Sequence, residues 1–366
     1  MVTLRPTLRF ATFNLAMSAD SPGQVFCELQ GSQTARFQRL AAIIQHCNPD
    51  VLLFCEFDHP GEGGDDGMLA CFQREYLEKP QLGGEPVFYP HTLLPPTNTG
   101  LALFEGQDIT GSPENAQGFG RHHGQYGFVL LSKYPIDVQN LRSWQTLLWK
   151  DFPGNQMPLD YYSEAEQAIR RLSSKNHIAV PISIGDRQVT VVACHPTPPV
   201  FDGPEKRNVK RNADEIRLLG EIIQNAPHLV DDNGKQGGLA PDMPFVVMGD
   251  LNADPANGDG DKSAIAALLS ADNLLPVKPA SQGAPPHLRR TRIRSKSLAT
   301  HNRGLRLDYV LPSSHLNVVE SGVFWPNVET PLASLVYDEK HRLRATYSSD
   351  HRLVWVDFEF NASASG

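Results

Sequence analysis

No apolar run in this sequence approaches the roughly 20 residues needed to span a bilayer as a helix. Positive charge is also short: 33 Lys and Arg stand against 41 Asp and Glu, a net charge of −8 with a pI of about 5.9. No global basic field therefore draws nucleic acid, and a polyanionic substrate would need a local positive patch or a metal. Cysteine is sparse, with five residues at 27, 47, 55, 71 and 194 and no zinc-site spacing. Cys55 and Cys194 sit in apolar strand-like runs, where small buried thiols are at home. Cys27 and Cys71 lie in looser sequence and are free to pair, although nothing in the spacing fixes that. Met1 to Pro6 has neither an apolar core nor a small-residue cleavage site, so no signal peptide is read there. A cytosolic protein and a mature form without its leader both fit. There is no internal repeat and no linker long enough to divide the chain. The 366 residues, 40% hydrophobic, are read as one domain over 1–366, with loop insertions near 57–125, 143–175 and 276–303.

What is present centres on Phe245-Val246-Val247-Met248-Gly249-Asp250-Leu251-Asn252. Four apolar residues predict a short buried strand, and Gly249 is read as the point where the backbone turns. Alternation along an extended chain would project Asp250 and Asn252 side by side while Leu251 packs the other way. Asp can ligate a hard cation or take a proton, and Asn can donate to a phosphoryl oxygen without adding charge. An Asx-turn leading into Asp254-Pro255 explains the same residues without any chemistry.

Read in order, Leu8–Leu15 is a strand carrying Asn14, Ala35–His46 a helix, and Val51–Cys55 a buried strand closed by Glu56. The 57–125 segment is loop-rich, with a short helix at Met68–Tyr76, and leads through Arg121 and Tyr126 into the strand Phe128–Ser132. A Trp- and Pro-rich excursion over Ser143–Asp160 is expected beside the site. Ile178–Ile184 and Gln188–Cys194 read as a hairpin around Gly185-Asp186, with His195 at its end. Asn212–Ile223 and Ser263–Leu269 have helical periodicity. Leu305–Leu311, Val318–Trp325 and Leu353–Phe360 read as strands. Arg289, Arg290, Arg292, Arg294 and Lys296 form a basic run, read either as a solvated loop or as an anion contact.

Strand after strand thus ends on a polar group: Asn14, Glu56, His195, Asp250 with Asn252, Asp308, and Asp350 with His351. Packing supplies no reason to put such residues at so many strand ends. They suit metal-assisted attack of water on phosphorus, with carboxylates holding a divalent cation and imidazoles serving the phosphoryl oxygens.

These residues, with Thr12-Phe13-Asn14, Pro49-Asp50, Tyr126-Gly127, Leu131-Ser132-Lys133, Gly249-Asp250-Leu251-Asn252, Leu307-Asp308-Tyr309-Val310 and Ser349-Asp350-His351, occur in an order that resembles the endonuclease/exonuclease/phosphatase superfamily. The resemblance covers nearly the whole chain. It implies an α/β (α+β) four-layer sandwich, two packed mixed sheets flanked by helices, with the site at one open edge. It also implies Mg2+, with Mn2+ or Ca2+ as alternatives, held by Glu56, Asn14 and Asp350. By the same resemblance the catalytic residues are His195, Asp250, Asn252, Asp308 and His351, with Asp308 fixing the His351 tautomer. Tyr126, Asn252 and Arg121 would contact substrate.

The expected activity is hydrolysis of a small or flexible phosphate ester, a small molecule or a lipid headgroup, by a monomer. A metal-dependent endonuclease is the enzyme alternative, and an inactive binding module on the same fold the other. A narrower likeness lies in Arg171-Leu172-Ser173-Ser174-Lys175 and His195-Pro196-Thr197-Pro198-Pro199. It is to mostly uncharacterised, often exported bacterial members and favours an extracytoplasmic location.

Overall fold

A computed structural model describes residues 7–31, 34–288 and 297–361. The basic run from Arg289 to Lys296 lies outside the described residues. The strands are β1 (Leu8–Met17), β2 (Val51–Phe57), β3 (His91–Leu93), β4 (Phe128–Ser132), β5 (Arg142–Ser143), β6 (His177–Ile184), β7 (Arg187–Cys194), β8 (Phe245–Asp250), β9 (Asp308–Pro312), β10 (Leu316–Val323) and β11 (Val354–Phe360). The α-helices are α1 (Gln24–Leu29), α2 (Thr34–Cys47), α3 (Met68–Phe72), α4 (Glu164–Ile169), α5 (Arg207–Ile223) and α6 (Lys262–Leu269).

The strands make two mixed sheets. One has six strands in the order β10-β11-β1-β2-β4-β3, the other five in the order β5-β6-β7-β8-β9. Among the described strand pairs, β1–β2 and β7–β8 run parallel and the rest antiparallel. Strand alternation explains the layering. Val189, Val191 and Ala193 of β7 join the core shared with the six-stranded sheet and α2. Val192 and Cys194 face the opposite way, into a second core with α5 and α6. The result is the four-layer sandwich, helices outside and sheets within.

Several expectations are corrected. Gly249 does not turn the chain. It lies inside β8, where a side-chain carbon would sit 2.1 Å from the Cys194 carbonyl oxygen, so glycine lets β8 lie against β7. The Trp- and Pro-rich stretch anchors itself in the core through its aromatics: Trp144, Trp149 and Phe152 are fully buried with α5, while much of the chain between them is exposed. Helix α5 begins at Arg207 rather than Asn212, because the Asp202 carboxylate accepts the Asn208 and Val209 amides and stabilises earlier turns. β9 starts at Asp308, not Leu305, because the Leu305 and Leu307 carbonyls are taken by Thr300, His301 and Leu251. Helix α4, which the sequence reading did not include, opens on a capping box of Ser163 with Glu166 and has no buried residue. Cys27 and Cys71 are both free.

Candidate active site

The two sheets bring their polar strand ends to one edge. Asn14 and Glu56 come from β1 and β2 of the six-stranded sheet. Asp250 and Asp308 are paired directly across β8 and β9 of the five-stranded sheet. His195 follows β7, and Asp350 and His351 precede β11.

Asn14 joins the sheets. Its amide nitrogen donates to Glu56 Oε1 and to Asp250 Oδ2, both at 3.0 Å, while its oxygen accepts the Ala16 amide at 3.0 Å. In this arrangement Asn14 bridges two carboxylates, and the amide would have to turn over to offer its oxygen to a cation. His195 Nε2 lies 3.6 Å and His351 Nε2 3.7 Å from Asp250 Oδ2. His351 Nδ1 meets Asp308 Oδ2 at 2.8 Å, and that same oxygen accepts the Thr300 hydroxyl at 2.6 Å. Two like charges across a strand pair would repel. Here the second carboxylate is held by a histidine and a hydroxyl instead.

The backbone is unusual at this edge. Ala16, Glu56, Tyr126 and Asn252 all have positive φ, between 49° and 59°. Each costs of order 1 kcal/mol or more for a non-glycine residue, and such conformations persist where surrounding contacts fix them. The β1–β2 register shifts between Asn14 and Met17, a bulge of the kind that re-aims side chains beside active sites. Asn252 lies beyond the end of β8. Its amide closes an Asx-turn on Asp250 Oδ1 at 2.9 Å, and its side chain donates to the Pro196 carbonyl at 3.1 Å. Both the turn and the proximity are real, but strand alternation is not what creates the proximity. Leu251 packs away, fully buried.

Charge is concentrated here. Burial raises the Glu56 carboxyl above its ordinary range, partly opposed by the Asn14 hydrogen bond and by His351. Asp250 is raised by burial and, further, by Asp308. Burial disfavours a charged His351, yet Asp308, Asp250 and Asp350 together lift it to about 10, so it is an imidazolium at neutral pH. His195 is the opposite case, held well below its ordinary range by burial and by the Lys175 charge, and is therefore neutral. Among the described residues, neither of its ring nitrogens, both buried, has a hydrogen-bond partner, and the same is true of buried Asp308 Oδ1.

Buried donors and acceptors of this kind fit residues that would hold a cation and a substrate. One ligand atom from each of Glu56, His195 and Asp250 lies within 4.8 Å of the others, as do those of Asp250, Asp308 and His351, and of His301, Asp350 and His351. Carboxylate oxygens dominate the first set, which suits a hard divalent cation.

The remaining residues inferred from sequence sit at the margin. Tyr126 flanks the cluster, its amide held by Asp58 Oδ1 at 3.0 Å. The Arg121 guanidinium is occupied by the Thr110 carbonyl and by Asp20. Asp350 is 35% exposed, with His301 Nε2 3.4 Å from its Oδ2. Sequence reasoning gave no role to His301, whose ring packs edge-on against His351 with centroids 4.7 Å apart. Nor did it give one to Thr300 or Lys175, or to the polar start of α5. There Arg211, Asn212, Asp214 and Glu215 are all buried. Asn212 donates to the Thr197 and Leu251 carbonyls, tying the loops after His195 and Asp250. Glu215 accepts the Ser174 amide and hydroxyl on one oxygen and the Thr197 amide on the other. A polar run inside a helical pattern was the available signal.

A two-sheet α/β sandwich with carboxylates and imidazoles gathered at one edge defines an architecture shared by many proteins. The chain belongs to the Endonuclease/Exonuclease/phosphatase family, which it matches over residues 11–351. Members are generally hydrolases acting on phosphate esters and typically depend on divalent metals. Among solved structures, an endonuclease/exonuclease/phosphatase from Beutenbergia cavernae is similar at 19% identity over 99% of this chain and 74% of its own, TM-score 0.54. The catalytic domain of human Nocturnin is 17% identical over 98% and 97%, TM-score 0.50. A family protein from Bacteroides thetaiotaomicron is 13% identical over 98% and 100%, TM-score 0.50. At such identities the likeness is one of fold. No curated protein matches the sequence.

Proposed function

We propose that this protein is a divalent-metal-dependent phosphoesterase that hydrolyses a small or flexible phosphate ester by attack of water on phosphorus. The observation that carries the reading is the joint placement of buried Asp250 and the Asp308-held His351 imidazolium beside Glu56. Glu56 would hold the cation with His195 or Asp350, and Mg2+ suits carboxylate oxygens. When bound, the cation would neutralise phosphoryl charge and lower the pKa of water. Asp250 accepts the proton of the attacking water as the new P–O bond forms, and the ester P–O bond breaks to release the alkoxide, which takes a proton from solvent. His351 Nε2–H donates to a phosphoryl oxygen, where charge accumulates in the transition state. Neutral His195 offers a second donor, and the Asn252 amide lies beside it.

The test is hydrolysis of nitrophenyl mono- and diesters, lipid phosphoesters and DNA with Mg2+, Mn2+ or Ca2+, before and after chelation. Turnover is expected to vanish with chelator and return with cation. Glu56→Gln should shift the cation titration, read by both activity and calorimetry, to concentrations about tenfold higher or more. Full turnover in chelated protein would overturn the reading, and plasmid nicking faster than small-ester hydrolysis would replace it with a nuclease.

A further inference from the structure

His301 is brought to the cluster by strand geometry. Residues 300–302 and 350–352 run antiparallel. The Asn302 amide donates to the Asp350 carbonyl at 2.8 Å and the Arg352 amide to the Thr300 carbonyl at 2.7 Å. His301 and His351 are paired directly opposite one another between these two bonds. Opposite residues of an antiparallel pair point to the same face, and a pair flanked by the ladder bonds brings its side chains closest. His351 is turned to Asp308 and Asp250, so His301 faces the same edge, and the two rings meet with centroids 4.7 Å apart.

The loop that carries His301 also fixes its tautomer. The Arg303 amide donates to Nδ1 at 3.1 Å, which leaves the ring proton on Nε2. Nε2 lies 3.4 Å from Asp350 Oδ2, beyond the roughly 2.7–3.2 Å typical of an N–H···O bond. The residue is 8% exposed, so this donor is withdrawn from water without being fully engaged. Asp350, at 35% exposed, opens the same flank to solvent.

Order along the edge says what the donor meets. His351 is common to two groups of closely spaced ligand atoms, one with Asp250 and Asp308, the other with His301 and Asp350. Asp250 is the acceptor of the water's proton, and His351 Nε2, 3.7 Å from it, serves a phosphoryl oxygen. Attack in line puts the leaving oxygen across phosphorus from that water. The flank left for it is the one that His301 and Asp350 share.

We propose that His301 is a catalytic residue whose Nε2–H donates a hydrogen bond to the leaving oxygen of the ester. This rests on the phosphoesterase reading. As the ester P–O bond breaks, that oxygen takes the bonding electron pair, and the His301 N–H stabilises the charge it gains. No proton passes from the ring, because Nδ1 is occupied by the Arg303 amide and His301 keeps its N–H. The departing oxygen is protonated by solvent on the exposed Asp350 side.

The experiment compares a 4-nitrophenyl phosphodiester with the corresponding phenyl ester, using the Mg2+-supplemented protein and two variants of nearly equal shape. His301→Met has no donor, whereas His301→Gln keeps an N–H. Nitrophenolate is a weak base and needs little help in leaving; phenolate needs more. His301→Met should therefore lower kcat/KM for the phenyl ester by about tenfold or more, the scale of a hydrogen bond to a charged group, and for the nitrophenyl ester by less than about threefold. His301→Gln should recover part of the phenyl-ester rate. Mg2+ affinity, read by calorimetry, should match the wild type in both variants. Equal losses on the two esters, or no loss on either, overturn the assignment. Weakened Mg2+ affinity in His301→Met does the same, since His301 would then act only by holding Asp350. So does failure of both variants to fold, read from the thermal midpoint, which would make the residue structural. If the wild type hydrolyses neither ester, the phosphoesterase reading falls and the assignment with it. If the wild type hydrolyses both and His301→Met lowers both alike, only the His301 assignment falls.

Discussion

His351 carries a charge that burial alone would remove. Its ordinary value near 6.5 is lifted to about 10 in the folded protein. Below pH 6.5 the ring is protonated folded and unfolded alike, so the stabilisation from Asp308 and Asp250 is fully present. Between 6.5 and 10 only the folded state keeps the proton, and stability falls as pH rises until the contribution is gone above about 10. Denaturant titrations at intervals from pH 6 to 10.5 should show this decline in the wild type and a flatter profile in His351→Gln. Equal slopes would mean that no imidazolium forms. At this scale the sequence was generous with identities, since Glu56, Asp250, Asp308 and His351 each stand at or near a strand end. It was poor on state. Nothing in a linear pattern says that one histidine is charged and its neighbour neutral, because that depends on Asp308 and Lys175, each brought to its histidine by the fold. Asn14 makes the same point: its neighbours decide which end of the amide faces the carboxylates.

Helix α5 is the element on which the site rests. Its apolar face, Ile216, Leu219 and Ile223, was readable from spacing and packs in the outer core. Its first turns were not readable, because periodicity marks polar residues as outward and cannot tell a solvated Asn from a buried one. Asn212 fastens two site loops through one amide group. Asn212→Ala is accordingly expected to reduce kcat by up to about 10²-fold with a smaller change in KM, the signature of misplaced rather than missing catalytic groups. A modest loss of thermal midpoint should accompany it, as two buried carbonyls lose their donor. A variant with reduced midpoint and unaltered kcat would make Asn212 a packing residue only. The Trp-bearing segment shows the converse error. It was expected as an excursion beside the site, and its Trp144 and Trp149 are buried against α5.

For the whole molecule, the sandwich was legible because each core strand is a short apolar run with its polar residue at one end, so motif order alone orders the layers. The connections were less so. β3 has three residues and α1 six, too short for any period to show. Net charge gives a further expectation. A protein at −8 gains little from long-range attraction to a polyanion. Hydrolysis of a small ester should therefore change only modestly in kcat/KM between about 50 and 200 mM salt, whereas a duplex binder making many phosphate contacts would lose about 10³-fold or more in affinity. A steep salt dependence with DNA as the preferred substrate would contradict the small-ester expectation.

The place of β11 bears on how the protein is made. That strand, last of the described elements, is inserted between β10 and β1, and the residues just before it complete the cluster that Asn14 and Glu56 begin. During biosynthesis β1 and β2 can pair early, but Asn14 and Glu56 wait 139 residues beyond Glu56 for His195 and 295 for His351. On the proposed reading, a polypeptide halted upstream of Ser349 is expected to lack activity, because it lacks Asp350 and His351. If the proposed activity holds, its recovery on refolding is expected to report the closing of the six-stranded sheet.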